Sequence, residues 1–371
     1  MIQRLLALCL FVAACGPPAP TGGNNRSRDS GQSDDTGASI GGNDAGSLIR
    51  DTGTSSDSGE PAFDAGAVQP DSPLIDPQCL DGQYRETLPT SDADITQITR
   101  DYDPNAWREY VEATLRQRYP LGWDIVENAF IEAPEQLGDC LERFVRDRSS
   151  ASAIDRQMGT FVHEGGHFLD IGLSFGSGRN VFYVRQDLTI ECTEGDTLTR
   201  RGRTFARSRI RNDRFSDLRP PCNSGENCDT YANIYLNGNP DDQNFESGDQ
   251  GFNMLMEEAF QYVNSLATNY ALNDRYQGSI SGRDGILTTL WWVQRYLVMA
   301  REDYPAAHEF ILGDACWREA ILTLWGRAWL YLGITEDMDQ LGIRDEAIQR
   351  LVEAQELLSE IQAVRDAHGC R

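Results

Sequence analysis

The clearest deficit in this sequence is positive charge. The 371-residue chain has no lysine, and its 33 basic residues face 58 acidic ones, a formal net charge of −25. Residues 77–371 alone carry 48 acidic and 29 basic side chains, so the imbalance extends through the part of the chain that is rich enough in apolar residues to fold. Such a balance argues against nucleic acid and anionic membrane surfaces as general partners.

Near its start the chain has only a short apolar run, not a membrane-spanning one. Leu5 to Ala14 is ten residues long and follows Arg4, a pattern typical of an export signal. The run ends in "VAAC", which resembles the bacterial lipoprotein signal. The resemblance implies that residues 1–14 are removed, that Cys15 carries lipid, and that the acyl chains anchor the protein in a lipid bilayer of the cell envelope. Gly16 after the cysteine favours the outer membrane, and a plain signal peptide is the alternative.

Aromatic residues are almost absent from the next segment. Residues 16–76 contain one, Phe63, and an Asp-x-Gly triplet recurs six times at irregular intervals. Such a composition cannot bury enough apolar surface to offset its chain entropy. We interpret residues 15–76 as a disordered hydrophilic linker. A weak calcium site is the alternative, but the irregular spacing argues against a calcium-binding solenoid.

Paired C-x-x-C motifs are also missing, which argues against a cysteine zinc knuckle. Seven cysteines follow Cys15, namely Cys79, Cys140, Cys192, Cys222, Cys228, Cys316 and Cys370. In an exported protein they are expected to form disulfides, and their odd number leaves at least one outside an internal pair. Cys222 and Cys228 bracket a turn-rich loop that can close locally. Cys370 follows a helical pattern and is expected to staple it, with Cys316 as the suggested partner.

Histidine is scarce, and two of the four histidines lie in "FVHEGGHFLDIG" at 161–172. Ser152 opens a Ser-x-x-Asp capping pattern, and "SFGSG" at 174–178 supplies a stop, so the segment 152–172 is predicted to be a helix. Apolar residues recur there at helical spacing, at Ile154, Met158, Phe161, Val162, Phe168 and Leu169.

One helical turn separates His163 from His167, so their imidazoles point the same way and suit a shared metal ion. Glu164 lies about 100° round the helix, where it can reach a water rather than the metal, as in the H-E-x-x-H motif of zinc hydrolases. Asp170 is on the histidine side and is expected to accept a hydrogen bond from a ligating imidazole. The alternative is an amphipathic helix with exposed histidines. Gly165 and Gly166 argue against it, because each costs about 1 kcal/mol in a helix that serves packing alone.

The third metal ligand is expected to come from a second helix. A metzincin would have glycine and histidine where this chain has Asp170 and Leu173, so that pattern is excluded. The predicted helix 252–267 has a core stripe and two adjacent carboxylates, Glu257 and Glu258. Glu258 lies at the border of the core and is favoured, because a metal would offset the cost of burying it. Glu257 remains open as the alternative. The core stripe consists of Phe252, Met256, Ala259, Phe260, Val263 and Ala267.

These two patches resemble the gluzincins, zinc metallopeptidases with two histidines and one glutamate. "HEGGHFLD" is similar to the H-E-x-G-H-x-x-D of lethal-factor-like peptidases, and "EAFQ" at 258 to the E-x-F-A around the third ligand. The resemblance implies a Zn²⁺ ion bound by His163, His167 and Glu258, with Glu164 as the general base in the hydrolysis of a peptide substrate. Glu257 and Gln261 depart from the aminopeptidase pattern, which has asparagine and alanine there. The likeness covers about 20 residues and assigns no subfamily.

A hydrolase of this kind also needs a donor for the oxyanion. The candidates are Tyr231, Tyr235, Tyr262 and His308, although each also suits a core or surface role.

Eight arginines lie between residues 200 and 219, and this cluster has two interpretations. One is a site for an acidic substrate. The favoured one is a solvated strand face on which Arg207, Arg209 and Arg211 alternate outward.

The remaining patterns predict the fold class. Helices are expected within 104–147 and at 284–303, 315–332 and 344–367, with a strand pair within 180–212. The tryptophans of the later helices are expected in the core. Residues 77–371 are therefore predicted to form an α+β, mostly α, zincin-like domain. The leading functional hypothesis is a lipid-anchored zinc metallopeptidase. The alternatives are a surface binding or adhesion lipoprotein with a structural or degenerate metal site, and a zinc hydrolase for another bond.

Overall fold

A computed structural model describes residues 74–192, 203–219, 229–239 and 251–370. Four of the sequence predictions lie outside these residues: the signal peptide, Cys15, most of the linker, and the loop between Cys222 and Cys228. Within them, no helix is both long and apolar enough to cross a membrane.

The described chain is mostly helical with one small sheet, which confirms the predicted fold class. Its helices are α1 (Leu80–Gln83), α2 (Thr96–Arg100), α3 (Trp107–Arg118), α4 (Pro120–Glu132), α5 (Cys140–Phe144), α6 (Ala151–Asp155), α7 (Met158–Ser177), α8 (Thr230–Tyr235), α9 (Phe252–Ala271), α10 (Gly282–Asp303), α11 (Pro305–Gly313), α12 (Ala315–Ile334), α13 (Asp345–Val352) and α14 (Gln355–His368).

The sheet is an antiparallel hairpin of β1 (Asn180–Arg185) and β2 (Leu188–Cys192), with Phe182 opposite Ile190. Phe182, Val184, Ile190 and Cys192 are buried, as alternating residues with one face on the core should be. The expectation that strand structure continues to residue 212 is wrong for its last part, because Arg207–Asn212 forms a 3-10 helix.

Helix α7 starts later than its sequence pattern predicted. Ser150, not Ser152, caps the short helix α6, since its side chain accepts a hydrogen bond from the Ala153 N–H. Asp155 is not a capping partner, because its carboxylate turns into the core and accepts bonds from Tyr110 Oη at 2.6 Å and Arg275 Nε at 2.9 Å. The helix restarts at Met158. The predicted stop signal at 174–178 is confirmed, since the helix ends before Gly178, whose φ of 70° suits glycine, but the helix runs to Ser177 and not to residue 172 as predicted.

The predicted C-terminal helix 344–367 is two helices. The chain leaves the helical conformation at Ala354, between α13 and α14. Gln294 of α10 donates to the carbonyl oxygen of Val352 at 3.0 Å and so satisfies a helix-end acceptor that the break exposes. The tryptophans of α10 and α12 are buried as predicted, at 0 to 7% exposure for Trp291, Trp292, Trp317, Trp325 and Trp329.

Two disulfides tie distant parts of the chain together. Cys370 is indeed a staple for the last helix, but its partner is Cys79 and not Cys316. Cys316 pairs instead with Cys192 at the end of β2. Among the described cysteines, Cys140 is a buried free thiol. Spacing along the chain could not assign these partners, because both pairs are brought together by helix packing.

Candidate metal centre

Helix α7 presents its two histidines toward one point. His163 and His167 lie one turn apart, and their Nε2 atoms are 3.0 Å from each other. Both side chains are buried, at 5% and 4% exposure. The alternative of an amphipathic helix with exposed histidines therefore does not describe this helix.

Helix α9 supplies a carboxylate to the same point. Glu258 Oε2 lies 3.6 Å from Nε2 of His163 and 3.6 Å from Nε2 of His167. These three residues form a group whose ligand atoms are close enough to hold one metal ion. Ligands about 2.0–2.1 Å from a tetrahedral zinc ion are separated by about 3.3 Å, so the observed spacing fits such an ion. Of the two carboxylates left open by the sequence, Glu258 is the one that faces both Nε2 atoms.

The two glycines of the motif serve helix packing. A methyl group on Gly166 would overlap the amide of Gln261 on α9, and one on Gly165 would lie 3.2 Å from Val126 on α4. On two sides, helix α7 therefore packs so closely against its neighbours that a residue larger than glycine would crowd them. The groups that approach these glycines are side chains of the adjoining helices, so the sequence argument that a helix built for packing would avoid them is wrong.

The far nitrogens of the imidazoles also have partners on α9. His167 Nδ1 is 2.6 Å from Glu257 Oε1, and His163 Nδ1 is 3.0 Å from Ser265 Oγ. A carboxylate only accepts, so the His167 proton is on Nδ1 when that ring is neutral, which leaves Nε2 free to ligate. Glu257 therefore has the orienting role that the sequence suggested for Asp170.

Asp170 is buried but bonds elsewhere, which corrects its predicted contact with an imidazole. Its Oδ1 accepts from the Tyr183 N–H of β1 at 2.8 Å, and its Oδ2 accepts from Gln261 Nε2 at 2.9 Å. Asp170 lies a turn beyond His167, next to the hairpin, and so ties α7 to β1 and α9. It therefore helps to fix the position of α7, which carries both histidines, and its hydrogen bonds go to neither imidazole.

Glu164 is the most unusual side chain of the site. It is fully buried, and both carboxylate oxygens lack a hydrogen-bond partner among the described residues. Burial raises the pKa of Glu164 well above its ordinary value. A buried carboxylate with no partner is costly, and Glu164 bears this cost next to three side chains that could hold a metal ion.

The surroundings of the site shift the pKa values of its histidines and of Glu258 in different directions. Burial lowers the pKa of His163, whereas for His167 the carboxylates of Glu257 and Glu258 outweigh burial and raise the pKa. Burial alone would raise the pKa of Glu258, but the two histidines and Arg207 bring it below its ordinary value. The neighbouring histidines and Arg207 therefore favour the anionic form of Glu258, which is the form that could bind a metal.

The oxyanion candidates separate into two groups. The ring of Tyr262 packs edge-on against His163, with centroids 5.0 Å apart, and its hydroxyl donates to Tyr235 Oη at 2.6 Å. Tyr231 stacks beside Tyr235 and donates to Ser281 Oγ at 3.2 Å. His308 lies elsewhere, on α11, 3.9 Å from Glu360. The structure thus brings the three tyrosines to the His163 side of the site and leaves His308 out.

The arginine-rich segment is not the solvated strand face that the sequence favoured. Arg207 begins a 3-10 helix, is 2% exposed, and lies next to Glu258. A 3-10 turn places residues three apart on one face, so Arg207 and Ile210 both point inward. The sequence analysis did not identify Arg207 or Ser265 as neighbours of the site. No periodic pattern pointed to Arg207, whereas Ser265 could have been found, because it lies seven residues after Glu258 on the same face of α9.

Two surface cavities of the described chain lie apart from the triad. One, of about 480 Å³, is bounded by α4, the end of α7 and the hairpin, with Asp124, Glu132 and Glu191 in its wall. The other, of about 280 Å³, lies along the 3-10 helix beside Arg209 and Arg211. Neither wall includes His163, His167 or Glu258.

Comparison with known proteins found no match among protein-family profiles, curated proteins or solved structures. The family resemblance of the two motifs therefore stays a prediction from the sequence. What the structure shows is a buried group of two histidines and one glutamate, His163, His167 and Glu258, that could hold a metal ion.

Proposed function

We propose that this chain is a zinc-dependent peptidase that acts on peptides or proteins outside the cytoplasm. The observation that carries the proposal is the pairing of the buried triad with the unpartnered carboxylate of Glu164. Three protein ligands are typical of catalytic zinc, whereas structural zinc usually has four. A metal ion bound there would supply Lewis acidity and a water molecule of lowered pKa.

Glu164 is the general base in this proposal. It follows His163 in the helix, and within the described chain its carboxylate has no hydrogen bond to lose when it takes up a proton. Burial raises the pKa of this carboxyl above its ordinary value, so its carboxylate is a stronger base than that of an exposed glutamate. It would accept the proton of the attacking water and pass it to the leaving amine.

Other side chains of α9 prepare the ligands. Glu257 and Ser265 fix the orientation of His167 and His163 through their Nδ1 atoms. Outer partners of this kind contribute to metal affinity as well as to ring orientation. Among the oxyanion candidates Tyr262 alone packs against a ligand ring, but its hydroxyl proton is donated to Tyr235, so no oxyanion donor is assigned.

The proposed location is the bacterial cell envelope, with Cys15 as the lipid anchor in the outer membrane and residues 16–76 as the linker. The two disulfides support an extracytoplasmic domain, since disulfides persist in oxidising compartments. The proposed partners are therefore a peptide or protein substrate and, through the acyl chains, a lipid bilayer.

Metal content and cleavage together test the proposal. The purified chain should contain about one zinc ion per molecule by elemental analysis and should cleave members of a peptide library followed by mass spectrometry. The variant Glu164→Gln should keep the zinc and lose cleavage by about 10²- to 10⁴-fold, the usual contribution of a general base. The control His163→Ala should lose both. A wild-type chain without stoichiometric metal would contradict the proposal.

A second candidate function is a surface binding lipoprotein with a structural metal. The enclosure of the site favours it, since the triad side chains are only about 6% exposed. In that case the wild-type chain would bind zinc without cleaving any peptide, and removal of the metal would lower its melting temperature.

A further inference from the structure

Arg207 is a buried cation next to the candidate metal centre. Its side chain is 3% exposed, and its Nη1 donates to the carbonyl oxygen of Met254 at 3.3 Å. Met254 belongs to the first turn of α9, the helix that also carries Glu258. The 3-10 helix is thus docked on α9 through this guanidinium.

The two oxygens of Glu258 face different partners. Oε2 lies 3.6 Å from each histidine Nε2, whereas Oε1 lies 4.0 Å from Arg207 Nη1. One end of the carboxylate therefore faces the imidazoles and the other faces a fixed positive charge. A carboxylate with a single neighbour could rotate about its last bond, but one with partners at both ends has a preferred orientation.

We propose that Arg207 is a positioning residue for the metal centre, which holds Glu258 Oε1 so that Oε2 alone is presented to the ion between His163 and His167. This inference rests on the proposed function, because it takes the triad to be a metal site. It adds a residue from a different element, 51 positions before Glu258 in the chain.

Electrostatics explains why a cation is useful here. A buried carboxylate with no counter-charge is strongly destabilised in its site. The guanidinium of Arg207 lies 4.0 Å from Oε1, so Glu258 has a positively charged neighbour even in the metal-free protein. The repulsion between the guanidinium and a metal ion acts in the opposite direction. The proposal therefore requires that orientation outweighs this repulsion.

The zinc affinity of Arg207 variants shows whether the orientation of Glu258 outweighs the repulsion between the guanidinium and the metal ion. Zinc affinity would be determined by competition with a chromophoric chelator for the full chain and for Arg207→Met, Arg207→Gln and Arg207→Lys. Removal of the charge in the Met and Gln variants should weaken zinc binding by about 10- to 100-fold, the usual effect of losing an outer partner. Arg207→Lys should retain more of the affinity than either neutral variant, since it keeps the positive charge. The Gln variant serves if the Met variant does not fold.

The visible spectrum of the Co²⁺-substituted protein gives a second readout that a merely structural role would leave unchanged. The Met and Gln variants should change the intensity of the cobalt bands, because a released Glu258 can offer both oxygens and alter the coordination number. The Lys variant should keep the wild-type spectrum.

Arg211→Met is the matched control, since Arg211 lies on the same 3-10 helix but donates to Asn233 at 2.5 Å. It should bind zinc like the wild type. Unchanged or tighter zinc binding by folded Arg207→Met or Arg207→Gln would overturn the proposal. A wild-type chain that binds no metal would instead refute the proposed function, so the two failures are distinguishable.

Discussion

Glu164 illustrates how one side chain can oppose stability. It is buried without a hydrogen-bond partner in the described chain, and burial raises its pKa above the ordinary value of 4.5. A carboxyl with a raised pKa in the folded state costs stability as the pH rises past its unfolded pKa, and the cost vanishes below that value.

Replacement of this carboxylate should therefore stabilise the metal-free protein. In the presence of a chelator at pH 7, Glu164→Gln should be more stable than the wild type by about 1–3 kcal/mol, because a neutral amide is cheaper to bury. At pH 4 the difference should disappear. Thermal unfolding of both proteins at the two pH values measures it, and equal melting temperatures at pH 7 would contradict the interpretation of Glu164.

The two outer partners of the histidines differ in charge, and their effects should differ accordingly. Glu257→Ala removes a charged acceptor from His167 Nδ1 and should weaken zinc binding by about 10- to 100-fold. Ser265→Ala removes a neutral hydroxyl from His163 and should cost less than about tenfold, since bonds to charged groups are the stronger ones. Chelator competition measures both. A larger loss for Ser265→Ala would show that Glu257 is not the main support.

At the scale of elements, α7 depends on glycines where it meets its neighbours. A methyl group on Gly172 would overlap the carbonyl oxygen of Glu132, the last residue of α4. Backbone atoms cannot move aside as a flexible side chain can. The close approach of these two helices is thus a condition for the position of the histidines.

Gly172→Ala should accordingly destabilise the protein by about 1–3 kcal/mol, the typical cost of overpacking. Gly176→Ala is the control in the same helix, since nothing lies within 4 Å of the added methyl group, and it should leave stability unchanged or raise it. Chemical denaturation of the two variants measures the difference. Equal stability would mean that α4 and α7 can separate at no cost.

Element boundaries show what local patterns could and could not predict. The stripe of α9 and the stop of α7 at Gly178 were predictable, because they follow from helical spacing and from the preference of glycine for positive φ. The break between α13 and α14 was not. It depends on Gln294, a side chain of α10 that is far away in the sequence.

At the scale of the whole molecule, several contacts hold the first described segment, 74–192, against the last, 251–370. Besides the disulfide between Cys79 and Cys370, Arg365 Nε donates to Asp81 Oδ2 at 3.0 Å, and the indole of Trp325 donates to the Leu74 carbonyl oxygen. The disulfide spans a sequence separation of 291, so it restricts a very large loop in the unfolded chain.

Loss of this cross-link should lower stability globally. The double variant Cys79→Ser/Cys370→Ser should lose about 2–4 kcal/mol, whereas Cys140→Ala, which keeps both disulfides, should lose less. Calorimetric melting of the oxidised proteins measures this. If the double variant has the same melting temperature as the wild type, the ion pair and the packing of the two segments hold them together without the disulfide.

The sequence alone determined those features that depend on neighbours along the chain. Helix geometry is the same in any surroundings, so it places the two histidines one turn apart, the glutamate on a different face and the glycines on the flanks. Only the tertiary structure decided the roles of residues that meet from distant elements. It distinguished Glu258 from Glu257, gave Asp170 other partners, buried Arg207 beside the third ligand and paired Cys370 with Cys79. Those outcomes depend on how helices pack, and a contact across 90 or 291 residues has no periodic signature in the chain.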